Sequence, residues 1–241
     1  AIFFVRVAAC ICGRPRTLAL NRPMGLKTPR TRLKRLPKRG AHDFATIAAI
    51  LDEGFFCHVG FVAGGHPYVI PTGYGRKDRM LYIHGSFASR MLNELARGIP
   101  MCLTVTLVDG LVLARSGFHS SVNYRSVVVL GTARVVADAE KEAALEIISE
   151  HILPGRWADI RWPNRKELKA VMVLKLRINE ASAKIRSGPP LDDEDDYALK
   201  CWAGVLPLAT VTGEPVADPK LAKEVPVPDY ARKFPRPRTK N

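Results

Sequence analysis

At 241 residues, 47% apolar and 25% charged, the chain has the composition of one large or two small globular domains with a sizeable core. No run approaches the roughly 18 uninterrupted apolar residues of a membrane span, so no membrane partner is expected. The net charge of +14 sits at the ends: residues 1–40 carry 11 Lys/Arg and no acid, residues 220–241 carry 7 against 2, and the stretch between is near neutral at −2. The ends are therefore expected to be solvated arms around a neutral domain, with nucleic acid a lesser alternative through residues 27–39.

Residues 1–13 are apolar but interrupted by Arg6, with no basic region ahead of them. They are read as a truncated or mis-assigned leader rather than a signal peptide. Residues 1–40 as a whole read as disordered. A helix is expected from His42 to about Glu53, capped by Asp43, with Ile47, Ile50 and Leu51 on one face. Strands follow at 55–62, 68–74 and 79–84, with a Gly64-Gly65 hairpin and a turn over Gly75 to Asp78. Pro71 cannot donate to a ladder, which makes its strand an edge or a bulge.

Ser86 is the expected cap of the next helix, whose stripe is Met91, Leu92 and Leu95 and whose stop is Gly98 with Pro100. Residues 101–108 and 111–118 read as a hairpin turning at Asp109-Gly110. The β-branched run 124–138 bends at Gly131, an amphipathic helix covers 138–153, and 170–178 is the last convincing strand. Beyond residue 187 the chain reads as loop, including a solvated acidic run at 192–196. Seven or so strands in mostly antiparallel order predict a mainly β fold with helices, closed as a barrel, rather than a doubly wound parallel sheet.

The five cysteines (10, 12, 57, 102, 201) show neither a CxxC pair nor metal spacing. Their odd number suits a reducing, cytoplasmic setting. The stretch from His66 to Leu95 concentrates chemistry: the Ser86 and Ser89 hydroxyls, helix N–H groups and the Arg90 guanidinium could meet on a phosphate. A plain capped helix has the same local pattern. The run 116–133 and Trp202 lie further along the chain.

These motifs, in this order over residues 41–208, resemble the FMN-binding split-barrel flavoproteins related to pyridoxamine 5′-phosphate oxidase, the branch known as flavin-nucleotide-binding proteins. The resemblance implies an antiparallel split barrel and a homodimer with FMN near the interface, flanked here by residues 1–40 and a Pro-rich basic tail at 209–241. It further implies that Val69, Ile70, Pro71 and Thr72 run along the flavin ring and that His84, Gly85 and Ser86 lie beneath it. Ser89 and Arg90 would hold the phosphate, Thr104 and Thr106 would lie on the following strand, and Arg125 and Ser126 would reach the cofactor. Trp202 would cap the pocket or anchor the core.

The relatives' substrate-phosphate cations after that Trp are absent in Ala203–Leu206, so vitamin B6 oxidation is not expected. The resemblance points to an oxidoreductase using flavin N5, with a reduced nicotinamide, NAD(P)H, or deazaflavin as donor. His84 and His119 are the acid/base candidates. The alternative is a non-catalytic flavin- or haem-binding module.

Overall fold

The computed structural model describes residues 25–222 and 224–234; the apolar start, with Cys10 and Cys12, lies outside them. In chain order the elements are β1 (Gly40–Ala41), α1 (Phe44–Glu53), β2 (Phe56–Ala63), β3 (His66–Gly73), β4 (Gly75–Lys77), β5 (Met80–Ser86), α2 (Arg90–Ala96), β6 (Pro100–Leu113), β7 (Ser121–Thr132) and β8 (Arg134–Val135). Then come α3 (Lys141–Ile152), α4 (Arg165–Ala170), β9 (Val171–Arg177), β10 (Ala181–Arg186), β11 (Gly204–Pro207) and α5 (Asp229–Arg232).

Two antiparallel sheets form. The larger runs β1-β10-β7-β6-β2-β3, with β11 also paired to β6, and the smaller runs β4-β5-β9-β8. The chain passes from one sheet to the other four times: after β3, after β5 by way of α2, after β7 at Ala133, and after β9. The inner faces pack Val59, Leu103, Val105, Val127 and Val129 against Leu81, Ile83, Leu174 and Leu176, with Ile47, Leu51, Leu92 and Leu95 closing the ends. This is the mainly β, antiparallel split barrel expected, as two facing sheets rather than one closed ring of hydrogen bonds. Its interior is filled by side chains, as in small barrels generally, so a cofactor must bind outside it. Among the described residues no helix is long and apolar enough to cross a membrane.

Local chemistry sets the boundaries. Asp43 accepts from the Thr46 N–H at 2.8 Å and starts α1, whose Ile47, Ile50 and Leu51 are buried as expected. Gly64 and Gly65 both adopt positive φ (56° and 79°), which joins β2 to β3 in a tight hairpin. β3 is an edge strand, the position Pro71 demands. α3 lies on the outer face of the smaller sheet, where Ala144 and Ile148 bury Val136 and Val173.

Five expectations are corrected. Asp109-Gly110 is not a hairpin turn: β6 runs through it with a register shift between Val108 and Gly110, because β7 pairs both halves of the strand. Gly75–Lys77 is itself a strand, paired with Tyr82–Met80, and the turn is confined to the residues after it. Ser89, not Ser86, caps α2, which is only seven residues long; Ser86 Oγ instead accepts from the Ala88 N–H at 3.1 Å. β10 extends the larger sheet beyond the last expected strand. Finally, residues 25–39 are not a free leader: Leu26 and Thr31 are buried, and Arg30 Nε donates to Glu180 at 3.0 Å.

Candidate functional site

The site is built at the free edge of β3. Tyr68 stacks on Phe61 with ring centroids 5.5 Å apart, and the Arg90 guanidinium lies 4.4 Å above the Tyr68 ring. Arg90 is exposed and forms no ion pair with the described residues. Tyr68 and the start of α2 thus fix a fork of donors without neutralising it.

Ser89 Oγ accepts from the Leu92 N–H at 3.4 Å, which leaves the first helical N–H groups, those of Arg90 and Met91, for an outside acceptor. Asn93 Nδ2 donates to Phe87 O at 2.7 Å and to Ser89 O at 2.9 Å, bracing this turn. With α2 so short, Arg90 rather than a helix dipole supplies the positive charge.

β3 presents two faces. Ile70 and Thr72 share the core side with Val59 and Cys57, whereas Val69 and Pro71 point outward beside Gly60 and His58. The same outer face carries Thr104, paired with His58, and two residues further along, Thr106. Much of this face is apolar and bare: Val69 is 65% exposed, Val62 58% and Phe56 50%.

His84, Gly85 and Ser86 end β5 and lead directly into the α2 turn, where Ser89 N–H donates to Ser86 O at 2.9 Å. Gly85 packs closely there, since a Cβ would stand 3.1 Å from Leu92 Cδ1. His84 is exposed by surface area, but the surrounding protein desolvates its ring and lowers its pKa.

Arg125 and Ser126 lie on β7, where Ser126 is paired with Thr106. Arg125 is clamped by two carboxylates: its Nη2 donates to Glu53 Oε1 at 2.8 Å and to Asp109 Oδ1 at 2.7 Å. Hydrogen bonds to Glu53 and then Asp109 push its pKa well above the ordinary guanidinium value. Ser126 Oγ reaches Lys184 O at 3.4 Å.

His119 belongs to the loop after β6, 3.2 Å from Asp193 Oδ2 but without hydrogen-bond geometry. Beside it, Asp192 is buried rather than solvated, accepting from the Arg115 N–H at 2.9 Å and pairing with Arg115 Nη1 at 3.1 Å. Trp202 is 70% exposed and precedes β11, whose Gly204 pairs with Leu113. Tyr68 pairs with Phe61 and Phe61 with Met101. Leu113 is therefore about 40 Å along β6 from the row that holds Tyr68, at about 3.3 Å per residue. One chain does not bring Trp202 and Arg90 together.

Sequence reasoning missed Tyr68 as the support of Arg90, His58 as an outward ring, and Glu53 with Asp109 as the partners of Arg125. None has a local signal.

The family model described as pyridoxamine 5′-phosphate oxidase matches residues 43–185, more than half of the chain. The chain belongs to this family. Among solved structures it is similar to the flavocytochrome Anf3 from Azotobacter vinelandii, with 41% identity and a TM-score of 0.82 over 86% of this chain and 97% of that one. It is also similar to the FAD and heme binding protein from Mycobacterium smegmatis, with 39% identity and a TM-score of 0.79 over 81% of this chain and 97% of that one. No curated protein matches it significantly. The matched segment begins at the cap of α1 and ends in β10, so it includes the β3 edge and the Arg90 turn.

Proposed function

We propose that this chain is a flavin-binding redox protein whose flavin phosphate is held by Arg90 at the edge of β3. The observation that carries the reading is the Arg90 guanidinium, fixed on Tyr68 beside the free edge of a strand and matched by no acid of the described residues. Two relatives of about 40% identity, named as a flavocytochrome and an FAD and heme binding protein, support it. The residues fit the group: a cation for the phosphate, a Ser89-capped turn beside it, and the backbone of Val69–Thr72 for the polar edge of the ring. Arg90 addresses the phosphate ester common to FMN and FAD, FMN being the smaller ligand that satisfies it.

A bound flavin supplies two-electron transfer through N5, with a reduced nicotinamide or deazaflavin as the donor class. The chain's part is to orient and to dry the site. Arg90 and Ser89 fix the phosphate end, the β3 edge fixes the ring, and His84, held neutral near pH 7 by desolvation, offers a ring nitrogen as proton acceptor. The bare apolar face around Val69 and Phe56 is the surface a second copy would cover. Homodimerisation would also let Trp202 and the distal end of β6 approach the partner's flavin. Oxidation of a pyridoxamine phosphate is not part of this reading, because Ala203–Leu206 carry no cation and enter β11.

A second cofactor is favoured by one further observation. His58 stands outward on that apolar face, edge-on to Phe56 at 6.3 Å and free of hydrogen bonds to the described residues. If a haem were bound on this face, His58 would hold its iron and the apolar side chains of Phe56, Val62 and Val69 would cover the macrocycle. The visible spectrum of the purified protein, reconstituted with FMN, FAD and haemin, tests the scheme. Flavin bands support the first reading, and a Soret band that shifts in His58→Ala supports the second. A protein that stays colourless after reconstitution refutes both. Oxidation of a nicotinamide or deazaflavin donor no faster than by free flavin would assign binding without catalysis.

A further inference from the structure

We propose that residues 27–42 form a second ligand site, a pocket for a phosphate-rich small anion, independent of any flavin. The segment is built, not loose. Ala181 N–H donates to Leu26 O at 3.0 Å, Thr28 N–H to Thr31 Oγ1 at 2.8 Å, and Thr31 Oγ1 to Leu26 O at 3.2 Å. His42 Nε2 lies 3.1 Å from Thr31 O, and β1 pairs with Lys184 and Ala183. These bonds hold open a cavity of about 200 Å³ lined by Lys27, Arg32, Leu33, Pro37, Gly40 and His42.

Its charge is lopsided. Of the seven Lys/Arg in residues 27–39, Arg30 alone has a carboxylate partner among the described residues, Glu180. Lys27 and Arg32 project into the cavity wall without one. Asp43, the acid next in sequence, is spent on the α1 cap. Behind the Pro37–Arg39 turn, Arg186 is buried with only carbonyl-type acceptors, the side-chain oxygen of Asn123 and Gly188 O. Desolvation, with Arg39 nearby, lowers its pKa. Like charges gathered on a fixed frame without counter-charges make a standing positive potential that an anion relieves.

The size decides what kind of anion. Pockets for whole small molecules run from about 300 to 1,000 Å³, so this one suits a phosphate or diphosphate head rather than a sugar and base. A nucleic-acid surface would need a stripe of cations tracking a backbone, whereas Lys27 and Arg32 converge on one cavity.

The test titrates inorganic pyrophosphate into the full-length, flavin-free protein by calorimetry at low ionic strength. One saturable site is expected. Lys27→Gln with Arg32→Gln, both at exposed positions, should weaken it at least about tenfold, while Arg97→Gln, exposed at the C-cap of α2, should leave it unchanged. A native-like melting temperature for the double variant assigns the loss to the pocket rather than to misfolding. ATP that competes with pyrophosphate, and fails in the same double variant, would identify a nucleotide's phosphates as the source. No saturable binding, or equal binding by the double variant, overturns the proposal. So does an oligonucleotide that binds without displacement by pyrophosphate. Because Arg90 is untouched, failure here leaves the flavin reading standing.

Discussion

Replacing Arg90 with Ala removes the guanidinium that lies 4.4 Å over Tyr68 and would face the flavin phosphate. A charge-assisted contact of this kind is worth about 1.5–3 kcal/mol, so FMN affinity should fall about tenfold to a hundredfold. Riboflavin lacks the phosphate, and its affinity should change by less than about threefold, the residue of lost contact and orientation. The cation–π contact with Tyr68 is lost whether or not ligand is bound, lowering stability by only about 0.5–1 kcal/mol. Arg90→Lys should fall between the two, since the charge survives and the fork does not. Quenching of flavin fluorescence during titration of the apoprotein gives each of these affinities. Equal weakening of FMN and riboflavin by Arg90→Ala would refute the assignment, because the residue would then be supporting the fold rather than the phosphate.

Arg125→Ala should destabilise the protein by about 3 kcal/mol in chemical denaturation, since Glu53 and Asp109 would face each other with their shared cation gone; a loss below about 1 kcal/mol would mean that water already screens them. Gly75→Ala should lower the melting temperature, at a cost of about 1–3 kcal/mol, because its Cβ would stand 2.6 Å from Ile148 Cα and lift α3 off the sheet. An unchanged melting temperature would show that α3 is not seated there. Burial pushes the Cys57 thiol up to about 12, so iodoacetamide at pH 8 should label exposed Cys201 and spare Cys57 until denaturant is added, as read by peptide mass mapping. Because the folded value is the raised one, stability should also fall as pH climbs from about 9, where the unfolded thiol ionises, toward 12. Native-state labelling of Cys57 at the rate of Cys201 would contradict that burial.

What could be read from the chain alone was whatever a few neighbouring residues decide. Asp43 and the Ile47, Ile50, Leu51 stripe announce α1, and Gly64-Gly65 announces its hairpin, because caps, periodicity and turn chemistry are local. Pro71 even placed β3 at an edge. β10 escaped notice because Lys184 and Arg186 break the apolar pattern; its pairing with Tyr124 to Val129 makes it a strand. Asp109-Gly110 has turn chemistry in isolation, yet partners on both sides of β6 hold it straight. The partners of Arg125 and Arg90 come from 72 and 22 residues away in sequence, Glu53 and Tyr68, where no spacing rule reaches. The motif order identified the family; only the fold could say which of its residues meet within one chain.

The register shift at Asp109 constrains how this gene can change length. Before it, the odd-numbered residues Leu103, Val105 and Leu107 face the core; after it, the even-numbered Val112 does. Asp109 is the one residue of this stretch without a partner on β7, so removing it would leave Val108 opposite Tyr124 and Gly110 opposite Asn123, with Val112 still facing the core. Removing two there would reverse the phase, turning Val112 to solvent and Leu111 and Leu113 inward, which undoes the pairing with β11. Length changes in β6 should therefore be tolerated by parity and place rather than by size: at Asp109 a one-residue deletion should do less harm than a two-residue one, whereas elsewhere in the strand a one-residue change reverses the facing of everything beyond it.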